Sequence, residues 1–275
     1  MLIVQLTDLH VRPRGQASNR VSETNMLTEQ AFRVVHAMRP APDVVLITGD
    51  LTECGLPSEY EMFFDLWRRN LGRPIYVIPG NHDRRENLRA RLSHLPGVVD
   101  DPEFVQYVVE DHQVRVIMLD TVVPGAAHGS LSAAQLAWLD ARLAERPETP
   151  TLIGMHHPAF MTGLPHMDRI ALRDQEGFAS VIGKHRQVRR IIAGHHHRPI
   201  TGQVAHAVAT VSPSVAHQVE LTFDADDPGA FNFEPPAYQV HVCGAAGGFV
   251  THTAYVQTYA GPFPFLTDPD YPGKC

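Results

Sequence analysis

Cysteine is scarce in this chain of 275 residues, with three in all. Cys54, Cys243 and Cys275 lie too far apart for a disulfide framework or a CxxC zinc site. Unpaired thiols are the first reading, with a bridge between Cys54 and Cys275 as the alternative. An excess of basic charge is also missing: 23 Lys and Arg against 30 Asp and Glu leave a net charge of −7. That balance excludes a global field for a nucleic acid polymer or an anionic membrane, so an anionic partner must be drawn by something local, and a bound cation would serve. No stretch reaches the roughly 20 apolar residues that a membrane span needs. The opening "MLIVQL" is too short for the apolar part of a secretion signal and runs into the polar "TDLH". A protein working in the cytoplasm is the expectation. Internal repeats and low-complexity stretches are absent too.

What is present is a 44% share of hydrophobic residues, enough for a sizeable core. Five short runs rich in Val and Ile, "LIVQL", "DVVLIT", "PIYVIP", "TLIGM" and "VRRIIA", each end in a polar cluster and read as buried strands. Between them, residues 22–39, 57–70, 84–95, 131–145 and 171–186 carry helical period. In "SAAQLAWLDARLAE", Leu136, Leu139 and Leu143 share a face while Asp140 and Arg142 turn outward. The alternation predicts an α/β fold of sheets layered with helices. Residues 104–119 read as a hairpin about "EDHQ", which makes the sheet mixed. Beyond residue 200 the pattern turns to strands without helices, interrupted by a loop, "DADDPGAFNFEPP". Residues 1–200 are therefore expected to form the core, and 201–275 a β-rich segment that completes it as a cap, a dimerisation element or both. The aromatic and proline-rich end, "YAGPFPFLTDPDYPG", adds to the expectation of a homo-oligomer.

The polar clusters carry the chemistry. Ligands of open α/β sheets sit beyond the carboxyl ends of the strands, where "TDLH", "GD", "GNHD", "HHP" and "GHHH" all fall. Residues two apart in extended backbone point the same way, so Asp8 pairs with His10, and His195 with His197. The candidate ligands are Asp8, His10, Asp50, Asn81, His82, Asp83, His156, His157, His195 and His197. Carboxylate, imidazole and amide oxygen without thiolate suit Zn, Mn, Fe or Co. The set is too large for one ion and fits two that share a carboxylate.

The ordered series "DLH" (8–10), "GD" (49–50), "GNHD" (80–83), "HH" (156–157) and "GHHH" (194–197) resembles the calcineurin-like metallophosphoesterases. Within them it is most similar to the class III cyclic nucleotide phosphodiesterase and glycerophosphodiesterase branch. The resemblance spans residues 2–200. It implies a four-layer sandwich, with one metal on Asp8, His10, Asp50 and His197 and the other on Asp50, Asn81, His156 and His195. His156 is preferred over its neighbour His157 because the family's ligand takes the first position beyond the strand. Two ions against two carboxylates leave positive charge for a small phosphodiester, and such pairs activate water for in-line displacement without a covalent phosphoenzyme. His82 is the implied proton donor to the leaving oxygen, with Asp83 fixing its tautomer.

Further candidates for substrate contact are Asn81, His217 in "SVAHQV" and His128 in "GAAHGSL". Each histidine has an ordinary structural reading beside it. Arg12 and Arg14 read first as solvated charge, His196 as a surface or supporting residue, and Asp120 as structural. A 3′,5′-cyclic nucleotide such as cAMP and a glycerophosphodiester are both open as substrates. The competing readings are a phosphomonoesterase or nucleotidase, though the large extra domain of nucleotidases is missing, and a scaffold without metals, though the ligand set is intact.

Overall fold

The computed structural model describes residues 1–244 and 247–264. The chain opens with β1 (Leu2–Leu6), α1 (Thr24–Ala37), β2 (Val44–Thr48), α2 (Pro57–Asn70), β3 (Tyr76–Ile78) and α3 (Arg85–Leu92). There follow β4 (Tyr107–Val109), β5 (Arg115–Met118), α4 (Ala133–Ala144), β6 (Thr151–Gly154), the short α5 (Pro165–Asp168) and α6 (Gln175–Lys184). The rest is β7 (Val188–Ala193), β8 (Ile200–Val204), β9 (Ala207–Val211), β10 (Gln218–Val219), β11 (Phe231–Asn232), β12 (Ala237–Cys243) and β13 (Phe249–Tyr255). The helices start where local chemistry favours it. Pro57 opens α2, and the Glu59 carboxylate accepts from the Leu56 N–H at 3.0 Å. Ser132 and Gln135 exchange backbone and side-chain bonds at the head of α4.

Two mixed sheets form the centre. One has the order β13-β12-β1-β2-β3, with β1, β2 and β3 parallel and β12 antiparallel to β1. The other has the order β4-β5-β6-β7-β9-β8, with antiparallel strands only at its two edges. Alternation along the strands makes the layers. Val116 and Met118 pack into the core of the five-stranded sheet, while Ile117 and Leu119 pack with Leu139 of α4 and Phe178 of α6. Phe32 of α1 and Phe63 of α2 cover the far side of the five-stranded sheet. The order is helices, sheet, sheet, helices.

The described chain beyond residue 200 completes the two sheets. β8 and β9 extend the six-stranded sheet, and β12 lies beside β1, pairing Leu2 with Val242. Among the described strands, only the β10–β11 ribbon stands outside the two sheets, and it draws part of the expected loop into a strand. The apolar content of β12, with six of its seven residues buried, explains its central position. Cys54 is exposed, while its suggested partner Cys275 lies outside the described residues, as do 265–273 of the aromatic and proline-rich end.

A fully buried glutamine fastens the sheets together. Gln5 donates to Thr48 Oγ1 and to the Ala193 carbonyl of the other sheet, both at 2.9 Å, and its own oxygen accepts from His241 Nε2 at 3.1 Å. Truncation would leave buried partners unsatisfied, so Gln5→Ala is expected to lower unfolding free energy by about 1–3 kcal/mol in urea titrations.

Candidate metal centre

The carboxyl ends of β1, β2, β3, β6 and β7 deliver Asp8 and His10, Asp50, Asn81, His156, and His195 and His197 to one place. Asp8, His10, Asp50 and His197 gather ligand atoms that all lie within 4.8 Å of one another. All seven except Asn81 are buried. Their common aim does not come from strand alternation. Asp8, His10, Asp50, His195 and His197 adopt left-handed backbone, with φ of 55°, 49°, 48°, 68° and 47°. Such angles are uncommon outside glycine and cluster at functional sites. Hydrogen bonds hold these kinks in place: the N–H groups of Leu9 and His10 both donate to the Asp50 carbonyl, at 2.8 and 3.0 Å. Gly80 is required for a different reason, since a Cβ there would lie 2.7 Å from His156 Nε2 and would collide with Asp50.

The imidazoles test whether a metal fits. His10 Nδ1 meets the Glu53 carboxylate at 2.8 Å, and His197 Nδ1 meets the His217 carbonyl at 2.8 Å. Each of these nitrogens faces an acceptor and carries a ring proton, which turns both Nε2 atoms toward the centre. Those two atoms stand 3.2 Å apart, with Asp8 Oδ1 3.2 Å from His197 Nε2. Positive charge must lie among them, either a metal ion or the Nε2 proton of His197, whose charged form Asp8 favours against burial. On the other side, His156 Nδ1 is tied to the Thr48 carbonyl at 2.9 Å, and its Nε2 faces Asp50 Oδ2 at 3.3 Å and Asn81 Oδ1 at 3.1 Å. His195 gives Nε2 to the Ile170 carbonyl at 3.1 Å, leaving Nδ1 as its free donor. Such outer partners fix the tautomer and orientation of metal-ligating histidines.

Asp50 joins the two groups. Its Oδ2 lies 3.3 Å from His156 Nε2 and 3.8 Å from His10 Nε2, while Oδ1 accepts from the His82 N–H at 2.9 Å. Burial alone would raise its carboxyl, but the charges of His156 and His82 hold it well below the usual range. Burial likewise opposes the imidazolium of His156, yet Asp50 pushes it up to about 9. The centre therefore favours positive charge, and a metal binding there displaces protons.

The neighbouring candidates divide clearly. His157 has both nitrogens engaged, Nδ1 with Thr121 Oγ1 at 2.7 Å and Nε2 with the Ala127 carbonyl at 3.2 Å. Its neighbour His156, by contrast, keeps Nε2 toward Asp50 and Asn81. His196 is fully buried rather than at the surface, and neither ring nitrogen has a partner. His217 packs its ring 5.2 Å from His10 and 5.0 Å from His197. His128 is partly exposed and is not among the described residues that gather into the cluster. Arg12 is engaged with Glu59, and Asp120 with Arg85.

The expected tie between Asp83 and His82 is not made. The Asp83 carboxylate accepts from the N–H groups of Leu51, Thr52 and Gly80 and from the hydroxyls of Thr52 and Tyr60. Burial and the nearby Asp50 push it up to about 6. His82 instead sets Nδ1 against the Glu53 carbonyl at 2.7 Å. Burial disfavours its charged form, but Asp50 and the Glu53 carbonyl outweigh this and raise it. Glu53 thus orients two imidazoles, one through its carboxylate and one through its backbone, a role missed in the sequence. The available signal was a carboxylate in the same loop as Asp50, in "GDLTE".

Residues 1–199 match the calcineurin-like phosphoesterase family, and the chain belongs to it. It is 33% identical over 269 residues to a probable glycerophosphodiester phosphodiesterase GpdQ of Arcobacter nitrofigilis, covering 98% of each chain. A probable cyclic nucleotide phosphodiesterase of Rhodopseudomonas palustris is 34% identical over 274 residues, covering 98% of this chain and 97% of the relative. Among solved structures, a dimetal phosphatase from Danio rerio shares the fold with a TM-score of 0.63 at 17% identity, covering 91% of this chain and 98% of that one. The family implies divalent metal ions, and the buried Asp and His cluster is able to hold them.

Gly80→Ala should keep the circular dichroism of the native fold while elemental analysis shows loss of bound metal. Glu53→Ala should weaken metal affinity by about 10–100-fold in calorimetric titration, the usual effect of removing an outer partner of a ligand histidine.

Proposed function

We propose that this chain is a phosphodiesterase with a dinuclear metal centre that hydrolyses small phosphodiesters, 3′,5′-cyclic nucleotides such as cAMP or glycerophosphodiesters. The observation that carries the reading is the pair of His10 and His197 Nε2 atoms, turned inward 3.2 Å apart, set beside a second donor group across Asp50. In this reading Asp8, His10, Asp50 and His197 hold one ion, and Asp50, Asn81, His156 and His195 hold the other, drawn from Fe, Mn, Zn or Co. Such a pair, when bound, activates water and offsets charge on the phosphoryl oxygens.

The chain's own side chains do the rest. Asn81 lies at the rim and presents its amide to the phosphodiester as well as to the centre. His82 keeps its Nδ1 proton on the Glu53 carbonyl, so the charged ring offers a second proton at Nε2 to the leaving alkoxide. Asp83 supports this by fixing the turn that carries Asn81 and His82, through five donors on one buried carboxylate. His217 covers the ring edges of His10 and His197 and limits water on that side. We place the protein in the cytoplasm as a homo-oligomer, an assembly for which β13, an edge strand with exposed Val250 and Tyr255, offers an open side.

The test compares bis-p-nitrophenyl phosphate with p-nitrophenyl phosphate on preparations of known metal content. The diester should be the better substrate by kcat/KM, chelation should abolish turnover, and Asp50→Ala should reduce kcat/KM at least about a thousandfold while losing bound metal. Undiminished turnover by Asp50→Ala, or a strong preference for the monoester, would overturn the proposal.

A further inference from the structure

Beyond His217 the row of rings continues outward. Its imidazole lies 5.2 Å from His10 and 4.8 Å from Phe231, and Phe231 meets Phe233 edge to face at 6.1 Å. Exposure climbs along the same line, from 6% at His217 to 36% at Phe231 and 59% at Phe233. Phe231 lies in the β10–β11 ribbon and Phe233 directly after it, in the part of the described chain that stands outside the two sheets. Pairing of Val219 with Phe231 and alternation along the strand put Val219, Phe231 and Phe233 on one face of that ribbon. Asn232 points the other way, where it donates to the carboxylates of Glu220 and Glu234. One face is therefore apolar and aromatic, and the acidic groups are gathered on its back.

We propose that Phe231, with Phe233 behind it, is a specificity-determining shelf that stacks the nucleobase of a cyclic nucleotide whose phosphate occupies the metal centre. This rests on the phosphodiesterase reading and selects, between its two substrate classes, the one with a planar aromatic arm. Two ring-to-ring steps from a candidate ligand, His10, reach Phe231, which sets the shelf about one nucleoside away from the reacting group. A planar base gains on such a face through stacking that tolerates any base. A quaternary ammonium, such as the choline arm of a glycerophosphodiester, is also drawn to ring faces, but at an exposed site by less than a stacked base gains, and Asn232 holds the carboxylates of Glu220 and Glu234 on the opposite face.

The test measures Phe231→Ala, Phe231→Tyr and Phe233→Ala as metal-loaded enzymes, with cAMP and glycerophosphocholine as parallel substrates. For Phe231→Ala, KM for cAMP should rise about tenfold with kcat nearly unchanged, the scale expected from loss of one stacking partner. KM for glycerophosphocholine should rise less, within about fivefold. Phe231→Tyr should restore the wild-type KM, and Phe233→Ala should fall between. In parallel, saturation-transfer NMR with adenosine should show contact with the wild type that Phe231→Ala loses. Equal effects on both substrates, a larger effect on glycerophosphocholine, or a change of oligomeric state with cAMP kinetics intact would each overturn the shelf. Failure of the wild type on every diester would instead remove the phosphodiesterase reading, and the adenosine signal would still decide whether the shelf binds a base.

Discussion

Two imidazole nitrogens do not rest 3.2 Å apart beside a carboxylate unless positive charge, from a proton or a metal ion, lies among them, and this constraint governs the centre of the molecule. It is imposed from outside the cluster, by oxygens on Glu53, His217, Thr48 and Ile170 that each claim the opposite nitrogen of a ring. The fold keeps those acceptors in place while bringing five loops to one point. The left-handed kinks at Asp8, His10, Asp50, His195 and His197 are strained conformations that persist because surrounding hydrogen bonds over-determine them. Without the kinks the same side chains would project along the strands they follow, past the centre rather than into it.

Much of this was legible in the sequence, for physical reasons. Short β-branched runs that break into polar clusters mark buried strands, and polar clusters at strand ends mark a site; both signals are local. The five strands and the five long helices follow from them, as does a gathering of ten candidate ligands at the strand ends, from which the family resemblance selected Asp8, His10, Asp50, Asn81, His156, His195 and His197. Structure supplies what depends on distant partners. The filling of both His157 nitrogens requires Thr121 and Ala127, which the fold brings in from another loop. The place of β12 beside β1 requires a pairing across nearly the full length of the chain, and no local pattern encodes it. Asp83 shows the opposite hazard. Adjacency to His82 in sequence suggested contact, but the turn sends the two side chains in different directions, and the more distant Glu53 takes the role.

The direction of charge is consistent throughout. The chain carries a net −7, yet the centre favours cations, because Asp8 and Asp50 are buried together with few competing positive side chains. A diester anion approaching such a molecule is attracted only at the centre, through what the centre holds. Local and overall charge thus oppose each other, and the local charge governs binding because it acts at contact distance in a poorly solvated pocket, whereas the surface charge is screened over about 8 Å at physiological salt.

The donors are divided between the two sheets. Asp8, His10, Asp50 and Asn81 follow strands of the five-stranded sheet, whereas His156, His195 and His197 follow strands of the six-stranded one. An ion held by Asp8 and His197, or by Asp50 and His156, therefore acts as a rivet through the seam where the sheets meet, and Gln5 crosses the same seam with hydrogen bonds. Sliding of one sheet over the other would pull the ligands of each ion apart. Shear resistance of the sandwich and grip on its cations are accordingly a single mechanical property.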